Sequence, residues 1–349
     1  MAGRKTLGQF LEQVTFGDAS SSPQLRTLLL DLASACKAIA RRVADAPLRT
    51  GAQVGTKRRQ RSVAPVTGGP LSGDDGRRAW IARLRSGTGE GCRPNACHLY
   101  RGRHLAVLLP VDSPANLDFN ATGGTIFSIL RTEASGETLA DLVRPASRAQ
   151  VCSGYAIHGP TLVLVLALEG KVLAFALDRH KDEFVLTHTD IRIPAAADRI
   201  AIDASRMRFW PPPIRRYVDE CLAGASGPRG KDFKMQWTGS MVADAHRILM
   251  GGGVFVCPGN GGRAGQPRQS WLLQEVDPIT FVIERAGGRA STGVTRILDM
   301  GPSGPSWRPP LMFGSVEEVE RLEAYCGGHE AGSYDAPLFA ERGLFRSSV

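Results

Sequence analysis

The strongest chemical signal in this sequence is the segment Leu109-Pro110-Val111-Asp112-Ser113-Pro114-Ala115-Asn116-Leu117-Asp118. Closely spaced carboxylates offer hard oxygen ligands to a divalent cation such as Mg2+, and a cation held in that way bridges to phosphate oxygens. Two aspartates in an isolated loop are more often part of a turn. Here they follow directly on Leu105-Ala106-Val107-Leu108-Leu109, a short apolar run of buried-strand type, which would fix them at the edge of a sheet.

Other residue types offer less. Seven cysteines are scattered along the chain, and the Cys92 to Cys97 spacing has no second pair to complete a zinc site. The formal charge of +9 is concentrated between Arg49 and Arg103, where twelve basic residues stand against three acids. Trp80 and Tyr100 are the only aromatic residues interleaved there, too few for a base-stacking surface, so no nucleic-acid partner is expected. Neither a signal peptide nor a run of 18 apolar residues is visible, so the expected compartment is the cytoplasm, with no membrane partner.

The elements that must position the aspartates follow from periodicity. Leu7, Phe10 and Leu11, then Leu25, Leu28, Leu29, Leu32, Cys36, Ile39 and Val43, fall at helical spacing and predict two N-terminal helices. Residues 47–104 lose all periodicity and read as an irregular basic stretch. Strands are expected at 105–109, 124–130, 161–168, 172–177 and 254–257, with turns at Glu169-Gly170 and at 179–182. Helices are expected at 217–222, at 241–250 ending on Gly251-Gly252-Gly253, at 278–286 and at 316–326. Strands and helices mixed in this irregular order predict a layered α/β (α+β) fold.

Several of these segments together resemble the class 1 fructose-1,6-bisphosphatases. Leu109 to Asp118 followed by Gly124-Thr125-Ile126-Phe127-Ser128-Ile129 is similar to the family's D-P-L-D-G-S-S-N-I-D and G-T-I-F-S-I. Gly154-Tyr155-Ala156-Ile157-His158-Gly159-Pro160 resembles G-Y-A-L-Y-G-P, and Glu183-Phe184-Val185-Leu186-Thr187-His188 resembles E-F-x-L-T-H. Gly239-Ser240-Met241-Val242-Ala243-Asp244-Ala245-His246-Arg247 resembles G-S-M-V-A-D-V-H-R, and Glu284 to Gly293 resembles E-x-A-G-G-K-A-S-T-G. The order holds from about residue 104 to 326. The resemblance implies a sugar-phosphatase fold of two intimately packed sheet-and-helix subdomains, 1–195 and 196–349, assembled as a homotetramer. It also implies a sugar bisphosphate substrate and Mg2+-assisted hydrolysis of fructose 1,6-bisphosphate.

Residue by residue, the resemblance assigns metal binding to Asp112, to the carbonyl of Val111 and to Glu275. Ser113, Asn116, Asp203 and Gln269 take substrate-binding positions. The departures are specific. Leu109 replaces a metal-binding Asp, Arg61 replaces a catalytic Asp, and Arg83 to Ser86 hold no counterpart to an acidic cluster. Pro114-Ala115 replaces two phosphate-binding residues, Gln269 replaces a lysine, Gln236 an arginine and Asp203 an asparagine. Three readings are therefore open: a hydrolase of the family's kind, a catalytically impaired paralogue with a regulatory or binding role, or an ordinary enzyme whose blocks at 47–118 and 261–271 are written through compensating shifts of reading frame.

Overall fold

In the computed structural model, the described residues are 4–14, 22–45, 85–86, 97–101, 103–117, 119–131, 150–258, 275–300 and 310–327. Eight strands form one antiparallel sheet in which each pairs with the next: β1 (Arg85–Ser86), β2 (Cys97–Arg101), β3 (His104–Leu109), β4 (Gly123–Arg131), β5 (Gln150–His158), β6 (Leu162–Leu168), β7 (Lys171–Asp178) and β8 (Glu183–His188). A second sheet of five strands has the order β10-β9-β11-β13-β12, from β9 (Arg199–Ile202), β10 (Lys234–Met235), β11 (Val254–Cys257), β12 (Arg289–Ser291) and β13 (Leu311–Gly314). Its first three strands are parallel and the others antiparallel.

The central strands are buried along most of their length because both faces of the first sheet are covered. Ala106, Leu108, Phe127, Ile129, Leu164 and Leu166 pack against helices α1 (Leu7–Gln13) and α2 (Ser22–Ala44). Their alternating neighbours Leu109, Ile126, Tyr155, Val165 and Ala167 pack with Val242, Ile248, Ile279 and Val282 of two other helices, α5 (Met241–Gly251) and α6 (Asp277–Arg285). Phe255 and Phe313 of the second sheet belong to that same central core. The far face of the second sheet, through Ile200, Ile202, Val254 and Val256, packs on α4 (Pro212–Leu222) and α7 (Val316–Cys326). The result is five layers, helices and sheets alternating. A short helix α3 (Pro114–Leu117) lies in the β3–β4 connection.

Two expectations are corrected. The stretch 47–104 contains β1 and β2, whose residues pair antiparallel with each other and, for β2, with β3 from Cys97↔Leu108 to Arg101↔His104. The strand owes its existence to the ladder offered by β3 rather than to a pattern of its own. Helix α4 begins at Pro212, five residues before the expected start at Tyr217. Pro212 and Pro213 sit in its first turn, where a missing N–H costs nothing. Among the described residues no helix is long and apolar enough to cross a membrane.

Candidate active site

Leu109 is the last residue of β3 and is buried in the core between the two sheets. The position where an oxygen ligand is expected is therefore a packing position. Val111 is buried as well, and Asp112 follows it at 6% exposure. One carboxylate oxygen of Asp112 accepts from the Gly124 amide at 2.8 Å. The other accepts from the Ser240 hydroxyl at 2.7 Å and from the Val242 amide at 3.1 Å. Ser240 is the N-cap of α5 and also accepts from the Ala243 amide, so Asp112 ties the β3–β4 loop to the start of that helix, where a negative charge is favoured.

The rest of the loop is clamped to the same segment. Ser113 donates from its hydroxyl to the Gly239 carbonyl at 2.7 Å. The Asn116 amide donates to the carbonyls of Thr122 at 3.1 Å and Thr238 at 3.0 Å. Asp244, fully buried on α5, pairs with Arg247 at 2.7 Å. Burial pushes its carboxyl up to about 6, and the nearby Asp112 charge adds to the rise.

Segment 236–240 leads from these contacts to the second sheet. The Gln236 amide donates to the Ile200 carbonyl beyond the end of β10, and its own carbonyl accepts from Arg247. Trp237, half-exposed, stacks on Phe255 of β11 with ring centroids 5.5 Å apart. The carboxyl ends of β10, β9 and β11 thus lie side by side, the position where parallel strands open a ligand crevice. Asp203 follows β9 and caps a 3-10 helix, Ala204–Phe209, accepting from the Ser205 amide at 3.1 Å and hydroxyl at 2.6 Å. Cys257 ends β11, and Val256 pairs with Ile202, which puts Cys257 level with Asp203. Burial raises the Cys257 thiol to about 11; the charges of Arg206, Asp203 and Glu275 all reach it. Glu275 is buried at the π turn that leads into α6.

The structure therefore gathers Asp112, Ser113 and Asn116 at segment 238–240, and the β9–β11 register sets Asp203 level with Cys257, within electrostatic reach of Glu275. Gln269, Arg61, Arg83 and Asp118 lie outside the described residues. Sequence reasoning missed Trp237 and the partners of Asp112; only Ser240, a hydroxyl ahead of an apolar helix, carried a local signal. Among the described residues, no three His, Cys, Asp or Glu side chains come together as a metal site. Among the described residues, Asp112, whose carboxylate already accepts three hydrogen bonds, the Val111 carbonyl and Glu275 are the oxygen donors at positions the resemblance implies for metal, and Mg2+ completes a six-oxygen shell of that kind with water and substrate phosphate.

A five-layered α/β protein with a polar loop clamped beside the carboxyl ends of parallel strands is a sugar-phosphatase-type fold. The N-terminal domain of fructose-1-6-bisphosphatase matches residues 96–189, and its C-terminal domain matches residues 193–327. The chain is 41% identical over 352 aligned positions to a class 1 fructose-1,6-bisphosphatase of Hydrogenophilus thermoluteolus, covering 99% of this chain and 98% of the relative. It is 44% identical to one of Methylacidiphilum infernorum, covering 71% of this chain and 70% of the relative. In fold it is similar to the holo fructose-1,6-bisphosphatase of Leishmania major, with a TM-score of 0.73 over 92% of this chain and 98% of that one, at 24% identity. The chain belongs to the class 1 fructose-1,6-bisphosphatase family.

Proposed function

We propose that this chain hydrolyses fructose 1,6-bisphosphate, adding water across one phosphate ester to give fructose 6-phosphate and inorganic phosphate. The observation that carries this reading is similarity to a class 1 fructose-1,6-bisphosphatase along 99% of the chain. The arrangement of the site supports it. Ser113 and Asn116 fix the β3–β4 loop against segment 238–239, and the half-exposed Trp237, stacked on Phe255, offers an apolar surface to a sugar ring. Asp112, the Val111 carbonyl and Glu275 are the described oxygen donors nearest to the family's metal positions. They would hold Mg2+, the cofactor the resemblance implies, with water and substrate phosphate filling the rest of its shell, and the ion would supply charge neutralisation at the phosphoryl oxygens. Ser113, Asn116, Asp203 and Gln269 are assigned to substrate.

The same reading makes the chain a cytoplasmic homotetramer, divided near residue 195 into a part carrying the Asp112 loop and a part carrying the sugar-phosphate side, with no nucleic-acid or membrane partner. The experiment is product analysis by phosphorus NMR after incubation with fructose 1,6-bisphosphate and excess Mg2+. Equal amounts of inorganic phosphate and fructose 6-phosphate are expected; an unchanged substrate spectrum counts against the reading.

A further inference from the structure

A buried ion pair adds little net stability, because taking both charges out of water offsets their attraction. The Asp244–Arg247 pair on α5 is of this kind: Asp244 is fully buried and the Arg247 side chain is only 27% exposed. Beyond neutralising each other, the two side chains take hold of the backbone on either side of Trp237. Resting on the function proposed above, we propose that Asp244 and Arg247 are positioning residues for Trp237. Together they fix the two peptide groups that flank it, and so aim the indole that offers the sugar ring its apolar surface.

The hydrogen bonds support this. Nη2 of Arg247 donates to one Asp244 oxygen at 2.7 Å and to the Gln236 carbonyl at 3.2 Å. The other Asp244 oxygen accepts from the Thr238 amide at 3.4 Å. The Gln236 carbonyl belongs to the peptide group before Trp237 and the Thr238 amide to the one after it. Since each peptide group is planar, holding both restrains the φ and ψ of residue 237. The ring so placed stacks on Phe255, with centroids 5.5 Å apart and planes at 26°. The Thr238 carbonyl in turn accepts from the Asn116 amide, so the same short segment carries the β3–β4 loop.

The frame behind the pair is firm. Asp244 and Arg247 stand three residues apart on α5, as neighbours on the helix surface, and the start of that helix is tied to Asp112 through Ser240 and Val242. Burial pushes the Asp244 carboxyl up, while bonds from Thr238 and the charge of Arg247 hold it down, so the segment that Asp244 positions also helps to keep it ionised. A guanidinium holds its donors in fixed directions within one plane, whereas an ammonium is a point charge on a flexible stem. Lysine at position 247 would therefore keep the charge opposite Asp244 and lose part of the alignment.

The test uses the full-length chain with Arg247→Gln and Arg247→Lys, each with and without Trp237→Ala. The chain has five tryptophans, so the near-ultraviolet circular dichroism of Trp237 is read as the difference between each protein and its W237A counterpart. That difference is expected to shrink in R247Q and to be intermediate in R247K. With fructose 1,6-bisphosphate, R247Q is expected to raise KM about ten-fold, to change kcat less, and to leave KM almost unchanged where Trp237 is already alanine. R247K should melt near the wild-type temperature, and it decides the matter if R247Q does not fold. A Trp237 difference spectrum unchanged in the folded variants overturns the proposal, as does a KM that rises equally with and without Trp237. Wild-type protein that turns over no fructose 1,6-bisphosphate contradicts the hydrolase reading alone, since the spectrum of Trp237 still reports on the pair.

Discussion

At the scale of single residues, His158 stands where the resemblance expects tyrosine, and the structure gives it a fixed proton arrangement. The Thr125 hydroxyl donates to the Pro110 carbonyl at 2.7 Å, so the 2.8 Å contact between Thr125 and His158 Nε2 is made by an imidazole that carries its proton there. Its Nδ1 is buried with no hydrogen-bond partner. Burial lowers the imidazole to about 4, below the usual value near 6.5. Between those pH values the unfolded chain binds a proton that the folded chain does not, so stability is lost as pH falls from about 6.5 to about 4. The expected outcome is that wild type loses up to about 3 kcal/mol more than His158→Tyr across that window, and that the difference is constant above pH 7. Denaturant melts of both proteins at pH 4.5, 5.5 and 7.5 check this, and parallel pH profiles contradict it. At this scale the sequence was legible where chemistry is local. Asp112, Ser113 and Asn116 stood out by their spacing after an apolar run. Their partners Ser240, Gly239 and Thr238 lie more than a hundred positions away, and apart from the N-cap signal at Ser240 no local pattern points to them.

At the scale of elements, the site depends on how closely α5 approaches β4. A Cβ placed on Gly124 would meet Val242 Cγ1 at 2.3 Å and its Cβ at 2.4 Å, so the helix can come close only over a glycine. Gly124→Ala is expected to push α5 off the sheet, weaken the Asp112 bonds to Ser240 and Val242, and cost about 1–3 kcal/mol; chemical denaturation measures it. A second tie holds α4 to α7. Glu318, 1% exposed, accepts from the Tyr217 hydroxyl at 2.6 Å and pairs with the buried Arg229 at 2.6 Å. Glu318→Ala leaves that guanidinium buried without its carboxylate, and a loss of about 3–5 kcal/mol is expected. A loss under about 1 kcal/mol would show that the cluster is idle. Apolar runs made β3, β4, β6, β7 and β11 readable, and glycine marked the end of α5, where Gly252 has φ +72. β1, β2, β9 and β13 were not, being two to five residues long without the unbroken apolar run of β11, and β5 and β8 were not either, because polar residues interrupt them; their stability comes from the neighbouring ladder.

At the scale of the whole molecule, the alternating layers explain why the site lies where it does. The β3–β4 loop of the first sheet meets the carboxyl ends of the second sheet's parallel strands through segment 236–240, beside the helix layer that both sheets share. The family match by domain begins at residue 96, so most of the basic stretch from Arg49 to Arg103 precedes it. Among the described residues the family's expected oxygen ligands are few: Leu109 packs in the core where the resemblance implies a metal-binding Asp, and Asp112 and Glu275 are the carboxylates it assigns to metal. The most direct test is the rate of phosphate release from fructose 1,6-bisphosphate by purified wild-type chain and Glu275→Gln in excess Mg2+. Release by wild type is expected to exceed that by the variant yet to stay below about 1 per second, the lower end of the usual enzyme range. Release no faster than without protein would contradict the hydrolase assignment, and turnover at or above that rate would contradict so small a ligand set.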